Sequence, residues 1–201
     1  MRAPVTGLLL AAGQGSRFGS HKMLAPVAVG DTVGLAAARH LQAAVDRMYV
    51  VVRTDDEPGA ILFATAGYTV LRSPDAVLGM AHSLVCGVQA TADSAAWVVA
   101  LGDMPFVAVA TIAALIECWR QCDAIVVPLH AGVAGHPVVF PQRFGPALLA
   151  LRGDGGARAL LAAHRDEVVE LATADSGVLR DVDTPADLIS PAGRRSVAGK
   201  P

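Results

Sequence analysis

Short apolar runs alternate with segments of helical spacing along most of the chain, and this alternation is the strongest constraint on the fold. Runs long and continuous enough for strands buried on both faces occur at residues 5–10, 47–52, 68–71, 96–101 and 124–127. Segments with helical spacing follow, at residues 32–45, 59–66, 81–90 and 109–120. Buried strands joined by helices form a parallel sheet that is covered on both faces. The sequence therefore predicts an α/β fold with a mostly parallel central sheet.

Composition narrows the class of ligand. Hydrophobic residues make up 53% of the chain, charged residues 17%, and the formal net charge is -2. This balance argues against a nucleic-acid or anionic-membrane partner, so an anionic substrate has to be held by locally placed groups. Residues 95–116 are apolar enough to resemble a membrane span, but Asp103 and Pro105 interrupt them, which favours strand, loop and helix. The odd cysteine count and the absence of a recognisable signal peptide predict free thiols and a cytoplasmic protein.

Three loops are the predicted ligand-binding segments. In open parallel sheets, ligands bind beyond the carboxyl ends of the strands. That rule selects residues 11–22, 73–83 and 102–106. We see no internal repeat or interdomain linker, and we expect one domain over residues 1–190. Residues 191–201 carry little apolar content and are expected to form a disordered tail.

The first loop has the chemistry of a phosphate-binding segment. Its sequence is LAAGQGSRFGSHK, residues 10–22. Glycines let the backbone turn several N–H groups toward one point, and Arg17 and Lys22 add mobile positive charge. The spacing fits neither the Walker A loop nor the dinucleotide fingerprint. Taken alone, the same residues are equally typical of an ordinary turn between a strand and a helix.

Two aspartates are candidate ligands for a metal ion. Asp103 follows a buried strand in LGDMP (residues 101–105), and Asp183 lies in DVDTPADL (residues 181–188). Mg²⁺ prefers carboxylate oxygens and needs only one or two from the protein when phosphates supply the rest. Aspartate in such a turn is also typical of a helix cap. Thr184 and Asp187 fit the start of a helix, and Asp183 is open to either role.

The first loop resembles the signature of the NTP-transferase superfamily, including the spacing of its arginine and lysine. LGDMP and DVDTPADL resemble motifs of the MobA/MocA-like branch, and they resemble most closely the members that cytidylylate molybdenum cofactor. The resemblance implies a three-layer, Rossmann-like nucleotidyltransferase fold. It also implies catalytic roles for Arg17, Lys22 and Asp103. The nucleotide-binding residues that it implies in the first loop are Leu10, Ala11, Ala12, Gly13, Gly15, Ser16, Arg17 and Lys22.

Further segments resemble the same family. Residues 73–84 match the stretch that borders base and ribose, which implies nucleotide contacts for Gly79 and Ser83. Ser73 departs from the usual asparagine, and Ser83 is equally able to line or cap a helix. Residues 135–140 match a stretch on the acceptor side, which makes His136 an acceptor-binding candidate, although a lone histidine is often structural. Residues 152–158 (RGDGGAR) match a turn entering a helix, either a tight turn or an anion site.

The resemblance implies a reaction. An NMP unit moves from an NTP, with CTP preferred, onto a phosphorylated small-molecule acceptor such as molybdopterin, with Mg²⁺ as cofactor and pyrophosphate as product. Two alternatives change the substrate: GTP with molybdopterin, or another small phosphorylated acceptor. A third makes the chain a non-catalytic, nucleotide-binding partner of a molybdoenzyme, and such an enzyme is also a possible partner of a catalytic chain.

Overall fold

A computed structural model of the chain describes residues 3–13, 18, 21–28 and 31–188. Within these residues, ten strands and six α-helices are found. The strands are β1 (Val5–Leu10), β2 (Pro26–Ala28), β3 (Asp31–Thr32), β4 (Arg47–Arg53), β5 (Thr69–Ser73), β6 (Ala96–Leu101), β7 (Ile125–His130), β8 (Val133–Ala134), β9 (Val138–Pro141) and β10 (Val168–Ala172). The helices are α1 (Val33–Gln42), α2 (Glu57–Thr65), α3 (Met80–Ala90), α4 (Val109–Cys122), α5 (Gly145–Leu149) and α6 (Arg158–Ala163).

The central sheet has the order β10-β7-β9-β6-β1-β4-β5, with β8 paired to β7. Strand β1 pairs in parallel with β4 and β6, β4 with β5, and β7 with β10. Strand β9 lies between β6 and β7 and runs antiparallel to both. The predicted mostly parallel sheet is confirmed, and β9 is an antiparallel insertion in it.

The sheet buries one hydrophobic cluster on each face. In β1, Val5 and Leu9 point into a cluster that includes residues of α1, α2 and α4. Leu8 and Leu10 point to the other face, where residues of α3, α5 and α6 pack. This alternation follows from the two-residue period of side chains along a strand. Helices on both faces of the sheet make the three layers that were predicted.

Gly7 allows α1 to pack closely on β1. A Cβ atom at this position would lie 2.9 Å from Cγ of Leu41, which belongs to α1 and is completely buried. Real Cβ atoms do not approach a neighbour so closely without displacing it. The missing side chain therefore sets the distance between the first helix and the strand that leads to the phosphate-binding loop.

Several predicted boundaries needed adjustment. The predicted helix at residues 32–45 begins after Thr32, whose hydroxyl accepts a hydrogen bond from the Leu35 amide, and it ends at Gln42. The helix whose start Thr184 and Asp187 indicated is a 3₁₀ turn at Pro185–Leu188. Residues 95–116 form β6, a loop and part of α4, as expected, and no helix in the described ranges could cross a membrane. All three cysteines are free thiols. The predicted tail, residues 191–201, lies outside the described residues.

Candidate active site

Strands β1 and β6 end side by side and place their two loops at the same edge of the sheet. Leu10 is aligned with Leu101 in the parallel register. The Gly102 amide donates a hydrogen bond of 2.9 Å to the Leu10 carbonyl. The loop after β1 and the loop after β6, which carries Asp103, therefore leave the sheet as neighbours, as the rule for parallel sheets requires.

Gly102 allows the two loops to touch. A Cβ atom here would lie 3.0 Å from Cβ of Ala11 and 3.1 Å from Sδ of Met23. Met23 is buried in the core and belongs to the 3₁₀ turn Lys22–Leu24, so the loop after β1 is fastened back onto the sheet beside Gly102. This packing places Lys22 next to Asp103.

Lys22 joins the two predicted acidic residues. Its Nζ lies 2.8 Å from Oδ2 of Asp103 and 3.2 Å from Oδ1 of Asp183. Burial acts to lower the pKa of Lys22, but the charge of Asp103 and hydrogen bonds to both carboxylates outweigh it, and the net pKa is raised. The expectation of a mobile charge at this position was wrong, because the side chain is only 8% exposed and held by two ion pairs.

Asp183 reaches this cluster through backbone contacts with the loop after β6. The Val182 amide donates a hydrogen bond of 2.9 Å to the Asp103 carbonyl, and the Val182 side chain is completely buried. Oδ2 of Asp187 accepts hydrogen bonds from the amides of Asp183 and Thr184 and from the Thr184 hydroxyl. Thr184 and Asp187 thus have the structural role favoured from the sequence, and they hold Asp183 toward Lys22.

A cavity of about 300 Å³ opens beside this cluster. Of the residues predicted to bind nucleotide, the cavity walls include Leu10, Ala12, Gly13, Lys22, Gly79, Ser83 and Asp103. Ala11 differs, since its side chain is buried in the core between Gly102 and the strands rather than in the cavity wall. The predictions for Gly15, Ser16 and Arg17 lie outside the described residues.

Gly79 and Ser83 enter the cavity from the start of α3. Ser83 is 2% exposed and lies inside the helix, so it lines the cavity and does not cap the helix. Gly79 has a φ of 123°, a backbone conformation that is strained for any residue with a side chain. A Cβ atom there would also lie 2.4 Å from Oδ1 of Asp154. The Ala81 amide donates to the Gly153 carbonyl at 3.1 Å. Gly79 is therefore the point where the loop at residues 152–156 packs against α3.

A second, larger cavity of about 580 Å³ adjoins the first. The two share the wall residues Leu10, Met80, Leu101, Asp103 and Asp154. His136 lines only the larger one of the two. Burial lowers the pKa of His136, although the charge of Asp103 opposes the shift. A neutral histidine in this wall is a hydrogen-bonding group and not a cation.

Sequence reasoning missed several residues of the second cavity. Asp154 and Arg158 belong to the RGDGGAR segment, which was interpreted either as a tight turn or as an anion site, and both line the cavity together with Asp181. The motif could be recognised in the sequence, but the sequence did not show where in the molecule the motif lies. Nothing in the sequence pattern indicates that residues 152–158 fold back against the start of α3.

Comparison with known proteins decides the family. The sequence pattern of the MobA-like NTP transferase domain matches residues 7–168, most of the chain. The chain belongs to the MobA-like NTP transferase family. Membership assigns it to the nucleotidyltransferases and confirms the predicted fold.

The proteins to which this chain is similar carry names that point to different functions. The chain is 30% identical to purine catabolism protein PucB of Bacillus subtilis, with 93% of this chain and 96% of that protein covered. It is 26% identical to molybdenum cofactor cytidylyltransferase of Escherichia coli, with coverage of 91% and 93%. The structure of Rv0371c from Mycobacterium tuberculosis superposes with a TM-score of 0.80, 32% identity and coverage of 93% and 96%. A second Rv0371c structure, a complex with manganese, has a TM-score of 0.79 at 30% identity.

The donor set at the MobA-like site fits a hard divalent cation. Two carboxylates, of Asp103 and Asp183, converge on one positive charge, and here that charge is the ammonium group of Lys22. Oxygen donors around a cation are the arrangement that Mg²⁺ and Mn²⁺ take. No group of three histidine, cysteine or acidic residues within the described ranges could hold a metal ion. A metal here would therefore have two protein ligands and need further oxygens from phosphates or water.

Proposed function

We propose that this chain transfers CMP from CTP to a phosphorylated acceptor of the molybdopterin or molybdenum-cofactor type and releases pyrophosphate. One observation carries the proposal. The cluster of Lys22, Asp103 and Asp183 stands where two cavities meet, and Asp103 belongs to the walls of both. A group-transfer enzyme for two anionic substrates needs two adjoining sites, with charged side chains at the point of transfer that compensate the negative charge of the substrates.

The first cavity is the proposed nucleotide site. Lys22 supplies positive charge to the phosphates at one end of it, and Arg17, in the loop after β1, is proposed to do the same. Ser83 lies in the wall contributed by α3 and offers a hydroxyl group to the base or ribose. Leu10, Ala12 and Gly13 also line this cavity.

The proposed reaction is an in-line displacement at the α-phosphorus. A phosphate oxygen of the acceptor attacks from the second cavity, and the bond to the pyrophosphate oxygen breaks on the opposite side. The acceptor is ionised at neutral pH, so no strong general base is required. The protein then acts by holding the two substrates in line and by compensating their negative charge.

Asp103 and Asp183 are the proposed holders of a divalent cation, Mg²⁺ in the cell. Such an ion, when bound, withdraws electron density from the α-phosphate and stabilises the leaving pyrophosphate. The manganese complex of Rv0371c supports a divalent ion in a protein of this fold. His136, neutral and in the wall of the second cavity, is proposed to hydrogen-bond to the acceptor.

The choice of CTP rests on two supports. The cytidylyltransferase of E. coli aligns along 91% of this chain. The first loop also begins with LAAG, whereas relatives that use GTP more often begin with LAGG. The similarity to PucB, a purine catabolism protein, favours neither base. GTP, another phosphorylated acceptor, or a non-catalytic nucleotide-binding role beside a molybdoenzyme are the outcomes against which the proposal is tested.

The test is pyrophosphate release by the full chain with molybdenum cofactor and Mg²⁺, in separate reactions with CTP, GTP, ATP and UTP. Release with CTP alone supports the proposal in full. Release with GTP keeps the transfer chemistry and overturns the choice of base. If no pyrophosphate is released with any of the four nucleotides but calorimetry detects NTP binding, a different acceptor or the non-catalytic role is favoured. Absence of NTP binding would refute the proposal altogether.

A further inference from the structure

The walls of the second cavity have an electrostatic mismatch with an anionic acceptor. Three carboxylates line it, those of Asp103, Asp154 and Asp181. A phosphorylated molecule that enters the cavity is repelled by each of them at neutral pH. In our proposal, Lys22 and Arg17 are assigned to the nucleotide. The acceptor therefore requires a cation of its own.

Among the described residues, Arg158 is the only lysine or arginine in the walls of this cavity. It is the first residue of α6 and is exposed. Across residues 3–13, 18, 21–28 and 31–188, its guanidinium group makes no hydrogen bond or ion pair. Arg143 and Arg47, by contrast, are each held by an acidic side chain, of Glu167 and Asp93 respectively. The donors of Arg158 are thus available to a ligand.

Arg158 and His136 belong to the walls of the same cavity. The charge of Arg158 acts on the His136 ring, and so does the charge of Asp103, so the ring lies within electrostatic reach of both. Nδ1 of His136 is buried and has no hydrogen-bond partner among the described residues. Asp103, His136 and Arg158 therefore contribute a carboxylate, a neutral ring and a guanidinium group to the walls of the same cavity.

The rest of the cavity is apolar. Side chains of Leu84, Val127, Val138, Phe140 and Leu161 contribute to it. Such a surface fits the uncharged body of a molecule and not a second highly charged group. The anionic group of an acceptor is therefore expected at Arg158 and not against these apolar side chains.

From this geometry, and resting on the proposed function above, we propose that Arg158 binds the phosphate group of the acceptor. A planar guanidinium group offers two parallel donors to two phosphate oxygens, which leaves a third oxygen for the attack. The interaction offsets the repulsion from the three carboxylates. Arg158 is thus a residue that selects phosphorylated acceptors, and it makes no contact with the nucleotide.

The first experiment is steady-state kinetics of the full chain with Arg158→Ala, Arg158→Lys and a matched control, Arg165→Ala. Arg165 is exposed and lies outside both cavities, so its loss changes the net charge equally. We expect Arg158→Ala to raise the acceptor KM by about tenfold or more, since a hydrogen bond to a charged group contributes about 1.5–3 kcal/mol. The KM for NTP should stay within about twofold, and Arg158→Lys should restore part of the acceptor affinity. An unchanged acceptor KM, or an equal rise in both KM values, would overturn the proposal.

A second experiment does not depend on turnover. Each protein is saturated with Mg²⁺ and CTP and titrated with inorganic phosphate in a calorimeter. Wild type and Arg165→Ala should bind phosphate alike, and Arg158→Ala should bind it about tenfold more weakly or not at all. Wild type that binds no phosphate, or equal losses in Arg158→Ala and Arg165→Ala, would sink the assignment. If the protein transfers no nucleotide but phosphate binding depends on Arg158 alone, the proposed function fails while this anion site stands.

Discussion

The two cavities at the edge of the sheet are built in different ways. The first lies where the parallel strands β1 and β6 end in register, and its lysine is already paired with two carboxylates. The second includes residues of the antiparallel strand β9 and draws its other walls from segments far apart in sequence. Its guanidinium group has no partner among the described residues. In terms of the proposed function, the lysine on the proposed nucleotide side is paired before substrate binds, whereas the arginine on the proposed acceptor side would be paired by the ligand.

The largest effect should come from the residue that both cavities share. We expect Asp103→Asn to lower kcat/KM by at least about a hundredfold, because the charge stabilisation that a bound metal ion provides is worth several kcal/mol. The fold should persist, since Asp103 is in a loop, and circular dichroism checks this. Asp166→Asn, an exposed change outside both cavities, is the control. Near-normal turnover in Asp103→Asn would remove this residue from the mechanism.

Gly79 is the contact that couples the two cavities. Alanine at this position would be strained by the positive φ, and its Cβ atom would clash with residues 153–154. We therefore expect the free energy of unfolding to fall by about 2–4 kcal/mol. The KM values for NTP and acceptor should rise together. Gly67 offers a matched control, because it has φ of 87° and no atom within 4 Å of an added Cβ. Gly67→Ala should lose only about 1–2 kcal/mol and leave both KM values unchanged.

Equal losses of stability in the two glycine variants would show that the packing of residues 153–154 on Gly79 contributes nothing. Denaturant unfolding measures this difference directly.

Lys22 and a metal ion compete for the same two carboxylates on the nucleotide side. In the absence of nucleotide, we expect Lys22→Met to bind Mn²⁺ about tenfold more tightly than wild type, since removing a buried ion-pair partner leaves two uncompensated charges. Paramagnetic resonance of free Mn²⁺ measures the affinity, with Arg165→Met as the charge-matched control. Weaker or unchanged Mn²⁺ binding would argue that the ion binds elsewhere.

The smallest effect should be confined to the first cavity. Ser83→Ala removes one hydroxyl group from its wall, and we expect the KM for NTP to rise about two- to tenfold, the range of a single neutral hydrogen bond. The acceptor KM serves as the internal control and should not move. A rise in the acceptor KM alone would place the nucleotide in the wrong cavity.

Most of the nucleotide side could be predicted from the sequence because each of its parts is local. A buried strand followed by a glycine-rich loop, and a second strand followed by an acid, mark the same sheet edge whatever the rest of the chain does. The loop at residues 11–22 and the loop that carries Asp103 were selected in this way, whereas the individual nucleotide contacts were implied by the family resemblance. The pairing of Lys22 with two acids was not predicted, because the burial of Met23 that fixes it depends on packing against Gly102 and α1.

The acceptor side was harder to predict for a physical reason. Strand β8, which contributes Ala134 to the wall of the second cavity, has only two residues, too few to show a period. The direction of β9 follows from pairing with β6 and β7, which is not written in its four residues. Arg158 lay within a recognised motif, but its position beside His136 results from the packing of distant segments.

The position of β9 between β6 and β7 has a consequence for synthesis on the ribosome. When residues 96–130 have emerged, β6 and β7 have no strand between them, and the edge of β6 that leads to Asp103 has unpaired backbone groups. Residues 138–141 close that gap, and Asp183 arrives later still. The nascent chain therefore carries an open strand edge next to the proposed catalytic centre until more than two thirds of the chain has been made, which is the interval in which a chaperone would have most to protect.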